Sequence, residues 1–102
     1  MRQLMVRYRV RPDEVAANEQ DVRAVYEELA RLAPDDFHYG TFKLEDGVTF
    51  VHIATQTGDE NPLQNVEAFQ RFQSNVRDRC EEQPVATTLS EVGSFRFHGD
   101  VS

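Results

Sequence analysis

His38 and His52 are the side chains of this sequence best suited to acid-base work. An imidazole titrates near neutrality, so either could take a phenolic or α-carbon proton as a general base. The bland alternative is a packed or solvent-facing ring, since no second supporting residue accompanies either one in a motif. Arg7 and Arg9 alternate beside Met5 in a strand-like run, where a purely structural sheet more often places aliphatics. They suit an anionic substrate; otherwise they pair with carboxylates such as Glu91 or with a partner subunit. Tyr8, Tyr39, Phe50, Phe69 and Phe72 could line a pocket for a flat aromatic ligand, or simply fill a core. Metal ligation has little support, because no His-x-His or His-x-x-x-His spacing occurs. No nucleophilic triad, phosphate loop or dinucleotide fingerprint is present, and no cofactor is implied.

The elements that must position these residues follow from periodicity. Leu4 to Val10 alternate apolar with Met5, Arg7 and Arg9, which predicts a strand with one buried face. Pro12 suits a helix entrance, with Asp13 and Glu14 placed where the helix dipole favours negative charge. The helix then runs to about Leu32, burying Val15, Val22, Val25, Leu29 and Leu32, and Ala33-Pro34-Asp35-Asp36 makes the turn. Phe37 to Leu44 and Val48 to Thr55 are rich in aromatic and β-branched residues, and the Asp46-Gly47 between them signals a hairpin. A two-residue turn there needs Asp46 at positive φ, whereas a three-residue Glu45-Asp46-Gly47 loop needs only Gly47 there, which favours the longer loop. The choice decides faces: the longer loop puts His38 and His52 on one side of the sheet as diagonal neighbours, and the shorter one separates them.

Asn61-Pro62 starts a second helix, Asn61 being able to cap free amides. Its inner stripe is Leu63, Val66, Phe69, Phe72, Val76 and Cys80, and Gln83-Pro84 ends it. Val85 to Val92 reads as the fourth strand, and Ser94 to His98 as a short extension able to reach a neighbour. Cys80 then reads as a small buried core residue, because Glu81 and Glu82 oppose a reactive thiolate and a lone cysteine allows no internal disulfide.

The chain's 102 residues suit one domain whose core is sufficient but not generous. A formal net charge of -7 would repel a phosphate backbone and gives no attraction to anionic lipid, so nucleic acid and membrane are not expected partners. No apolar run reaches the ~20 residues that span a bilayer, and Met1-Arg2-Gln3 leads straight into strand pattern; the expected location is cytoplasmic. Val48 to Ala54 carries apolar residues on both faces, and two helices can cover only one. The expected second cover is another copy of the chain, joined about a two-fold axis as a homodimer.

The order strand, helix, strand, strand, helix, strand, with hairpin Gly47-Val48-Thr49-Phe50-Val51-His52-Ile53, helix start Asn61-Pro62-Leu63, helix core Ala68-Phe69 to Phe72 and closing Glu91-Val92-Gly93-Ser94-Phe95, resembles the dimeric α+β barrel superfamily. More narrowly, it resembles the antibiotic-biosynthesis-monooxygenase-like proteins. The resemblance implies a ferredoxin-like βαββαβ subunit, an antiparallel sheet of order 4-1-3-2, and two sheets forming a barrel in the dimer. Active members oxidise small aromatic compounds without a cofactor, or degrade haem, in pockets between sheet and helices. The haem-degrading members use a Trp and a His on the second helix and an Asn on the first strand. This chain has no Trp, no His between Pro62 and Cys80 and no Asn on the first strand, so haem degradation is not expected. The resulting expectation is a homodimer that binds a small aromatic or anionic molecule, with cofactor-independent monooxygenase activity, through Arg7, Arg9, Tyr8, Tyr39, Phe69 and Phe72 with His52 or His38 as base. The competing expectation is a non-catalytic dimeric interaction module.

Overall fold

In the computed structural model of the chain, which describes residues 2–97, β1 (Arg2–Val10) leads through a 3-10 turn at Pro12–Glu14 into α1 (Val15–Leu32). β2 (Phe37–Lys43) and β3 (Thr49–Gln56) form the central hairpin, a second 3-10 turn at Pro62–Asn65 precedes α2 (Glu67–Arg79), and β4 (Cys80–Leu89) follows at once. The four strands pair antiparallel in the order β2-β3-β1-β4. That is the expected ferredoxin-like order read from the other edge, with β1 and β3 central.

Alternation along β1 sorts its side chains. Tyr8 and Val10 are almost fully buried, and they build one core with Val22 and Val25 of α1, Phe50 of β3 and Phe72 and Val76 of α2. Both helices therefore lie on the face that carries Tyr8. The register places Met5, Arg7, Arg9, Phe42, Val51, Ile53 and Val85 on the opposite face, which no element among the described residues covers. Phe42 is 58% and Val85 62% exposed there.

The hairpin departs from the expected three-residue loop. Lys43 pairs with Phe50, Thr41 with His52 and His38 with Thr55, while Leu44 N donates to Thr49 O at 2.8 Å, so four residues, Glu45 to Val48, make the turn. An even loop has the same register parity as a two-residue turn, so His38 and His52 fall on opposite faces. The conformational argument still holds within the loop: Gly47 takes the positive φ, 78°. Asp46 braces the turn, its Oδ1 accepting from Val48 N at 3.0 Å and Thr49 N at 2.9 Å and its Oδ2 from Thr49 Oγ1 at 2.6 Å. These bonds, Thr49 Oγ1 foremost, hold the Asp46 carboxyl down to about 2.

The second half of the chain also differs from the expected boundaries. Val66 is extended (φ -103°, ψ 108°), which splits the expected helix into the 3-10 turn and α2. Asn61 caps the turn as expected, accepting from Leu63 N at 3.0 Å. The free amides of α2, Glu67 N and Ala68 N, instead donate to the Glu28 carboxylate of α1 at 3.2 and 3.0 Å. Helix and strand meet at Cys80, the first residue of β4, so Cys80 pairs with Val10 and is only partly buried. Pro84 does not end the helix; it sits inside β4, an edge strand, where the β1 pairing shifts register between Arg7 and Arg9. An edge strand with an irregular ladder tolerates a residue lacking an N–H. Leu32 is 52% exposed rather than buried. Ser94 has no regular structure, Phe95 to Phe97 form bends and a turn instead of a strand, and His98 lies outside the described residues.

Candidate functional site

Between sheet and helices a chain of polar side chains crosses the core. Asn18 of α1, 0% exposed, donates from Nδ2 to Tyr8 Oη at 2.9 Å. Tyr8 Oη lies 2.8 Å from His52 Nε2. On the far side of the ring, Nδ1 meets Tyr39 Oη at 2.7 Å and Thr41 Oγ1 at 3.1 Å. Thr41 Oγ1 in turn meets Tyr26 Oη of α1 at 2.7 Å. Six residues from α1, β1, β2 and β3 thus form one hydrogen-bonded network, in a core where each polar atom would otherwise cost ~1–3 kcal/mol.

The sheet register creates this convergence. Tyr8 pairs with Phe50 across the β1–β3 ladder, Thr41 with His52 across β2–β3, and alternation points Tyr8, Tyr39, Thr41 and His52 at the same side. Rings enclose the histidine: Tyr8 lies 5.3 Å, Phe72 5.3 Å and Tyr39 5.8 Å from it, centroid to centroid. Burial pulls the His52 imidazole down to about 4 and pushes the Tyr8, Tyr26 and Tyr39 hydroxyls up. At neutral pH all four are uncharged.

Two open grooves flank Tyr26 where α1 passes over β2. One, of about 430 Å³, is lined by Glu19, Val22, Arg23, Tyr26, Thr41, Lys43 and Phe50. The other, of about 330 Å³, runs along Tyr26, Leu29, Ala33, Phe37 and Tyr39. Glu19 holds two cations at the rim of the larger groove, Lys43 Nζ at 2.6 Å and Arg23 Nη2 at 3.2 Å, and the Lys43 bond foremost lowers its carboxyl. Thr41 and Tyr26 bring the polar network to that groove's wall.

The residues expected to form a site divide between the two faces. Tyr8, Tyr39 and His52 are in the network; Phe72 packs on the Tyr8 and His52 rings, and Phe69 lies behind it, 6.1 Å away. Arg7, Arg9 and His38 lie on the open face, and neither groove is lined by Arg7, Arg9, His38 or His52. Arg9 pairs with Glu81 and Glu82 of β4 at 3.3 and 3.1 Å. Three network members were not anticipated: Asn18, Tyr26 and Thr41. Asn18 left a readable signal, since it stands on the Val22 and Val25 stripe of an amphipathic helix and so marks a polar group aimed at the core.

No family profile matches the sequence, and neither does any curated protein. Solved structures do match. A Nitrosomonas europaea protein named provisionally as an antibiotic biosynthesis monooxygenase superposes with a TM-score of 0.74 at 12% identity, over 91% of this chain and 100% of its own. An antibiotic biosynthesis monooxygenase gives 0.68 at 15% identity over 91% and 100%. Rv0793 from Mycobacterium tuberculosis gives 0.71 at 17% identity over 91% and 96%. With this topology and these superpositions, the chain has the ferredoxin-like α+β fold of the antibiotic biosynthesis monooxygenases.

Proposed function

We propose that the protein binds a small aromatic, oxygen-bearing molecule in the larger α1–β2 groove and promotes its oxidation by molecular oxygen without a cofactor. The observation that carries this reading is the buried, uncharged His52 network, which ends at Thr41 and Tyr26 on the groove wall. An electron-rich phenol or enol supplies its own electrons. When a ring CH2 becomes C=O, the carbon is oxidised by O2, one oxygen atom stays on carbon, and the other leaves as water with the two hydrogens. What the protein must supply is a dry wall that stabilises the substrate oxyanion with fixed hydrogen-bond donors. The Tyr26 hydroxyl, held by Thr41, is placed for that, and Phe50 and Val22 supply apolar contact. Lys43 and Arg23 at the rim suit an acidic substituent, in place of Arg7 and Arg9 on the other face.

The base role expected of His52 is not part of this reading. Both its ring nitrogens are engaged, and burial makes it a weak base at neutral pH. The test is oxygen uptake with hydroxylated polycyclic aromatics and no added cofactor. Tyr26→Phe is expected to lower the rate about tenfold or more by deleting that donor. An unchanged rate, or no uptake and no binding by the wild type, would overturn the proposal.

The apolar residues of the uncovered sheet face support a second proposal, that two copies pack face to face. Among the described residues, Met5, Phe42, Val51, Ile53 and Val85 meet no element of their own chain there. Sedimentation at micromolar concentration is expected to give a dimer, and a monomer sinks this reading without touching the groove.

A further inference from the structure

We infer that Asn18 is a positioning residue: it sets the direction of the hydrogen bonds through Tyr8 and the His52 ring, fixing His52 as the Nδ1–H tautomer. Tyr8 Oη has one proton and two lone pairs to share. The Asn18 amide donates to it at 2.9 Å, which takes a lone pair. Tyr8 is 1% exposed, so its proton has no solvent to go to, and His52 Nε2 at 2.8 Å is the acceptor within reach. Nε2 is then unprotonated and the ring proton sits on Nδ1.

The other side of the ring agrees. Nδ1 faces two oxygens, Tyr39 Oη at 2.7 Å and Thr41 Oγ1 at 3.1 Å. One N–H serves two acceptors naturally, whereas one lone pair can satisfy only one of two hydroxyl donors. Turning the Asn18 amide over would reverse the chain, but it would exchange an unpartnered buried carbonyl oxygen, Asn18 Oδ1, for an unpartnered buried NH2. Orphaned N–H groups are the rarer and costlier of the two.

A consequence follows at the groove, and this part rests on the groove being the ligand site. In this arrangement Thr41 accepts from Nδ1–H with one lone pair and turns its own proton to Tyr26 Oη, 2.7 Å away, so that the Tyr26 proton faces the groove. The network therefore ends in a donor, and the matching ligand atom is an acceptor: a carbonyl or phenolate oxygen.

The tautomer is read directly from two-bond proton–nitrogen correlations of the imidazole in 15N-labelled protein. In the wild type the Nδ1–H form is expected to exceed Nε2–H by about tenfold or more, the effect of roughly one net hydrogen bond. Asn18→Leu removes the donor to Tyr8, so the two forms are expected within about threefold of each other. Asn18→Thr, whose hydroxyl can donate or accept, is expected to show the same mixture where Asn18→Leu does not fold. A wild-type Nε2–H form, or a folded variant with unchanged tautomer, overturns the inference; a merely structural asparagine would move stability and not the tautomer. Titration with 1-naphthol and with naphthalene separates the two levels. Tyr26 signals that respond to naphthol alone support the donor-ended groove, and equal or absent responses with the tautomer intact sink the groove reading only.

Discussion

Desolvation at His52 has a consequence that does not depend on any ligand. The ring's ordinary value is 6.5 and burial holds it at about 4 in the fold. As pH falls below 6.5 the unfolded chain takes a proton that the folded chain refuses until about pH 4, so stability declines across that window and levels off below it for this group. The loss is roughly 3 kcal/mol at about 1.4 kcal/mol per pH unit. His52→Asn is expected to show a correspondingly smaller loss in urea unfolding between neutral pH and about pH 4.5; an equal loss would mean the ring titrates normally in the fold. Tyr8→Phe keeps the ring packing on Phe50 but strips a partner from both Asn18 Nδ2 and His52 Nε2. Its expected cost is roughly 2–4 kcal/mol, read as a lower urea midpoint.

The hairpin and α2 show how single residues set whole elements. Gly47 sits at φ 78° with open space where a Cβ would go, so Gly47→Ala tests conformation without a clash. The expected cost is about 1 kcal/mol with the register unchanged, checked by thermal unfolding and by cross-strand contacts of Thr41 with His52 in NMR. Glu28 of α1 caps the first turn of α2, and the Ala68 N–H foremost lowers its carboxyl. Glu28→Ala leaves the amides of Glu67 and Ala68 without that acceptor, so their hydrogen exchange is expected to quicken while the sheet amides keep their protection. Uniform change across the chain would mean the cap supports the whole fold instead.

For the molecule as a whole, the proposed face-to-face dimer turns on the uncovered sheet face. Phe42 on edge strand β2 and Val85 on edge strand β4 frame that face, both more than half exposed in the single chain. Phe42→Asp and Val85→Asp place a charge where a second sheet would desolvate it, and each is expected to shift sedimentation from dimer to monomer. In the single chain both side chains lie in solvent, so the folded subunit is expected to persist. Among the described residues no helix is long and apolar enough to cross a membrane.

The strand and helix order and most of the core were legible in the residue pattern, because periods of two and of helical turns are local consequences of which side chains leave water, whereas the sheet order was implied by the family resemblance. Val22, Val25, Leu63 and Val76 were read correctly as core for that reason. Boundaries set by neighbours were not legible: Pro84 reads as a helix stop until β4 is known to be an edge strand with an irregular ladder. Nor was the hairpin register, since three- and four-residue loops both satisfy Gly47 and their parity decides whether His38 joins His52 or leaves it. The network itself needed the tertiary structure entirely. Strand register brings Tyr8, Tyr39 and Thr41 to His52, and the packing of α1 on the sheet adds Asn18 and Tyr26, so the six polar groups converge only in the folded chain.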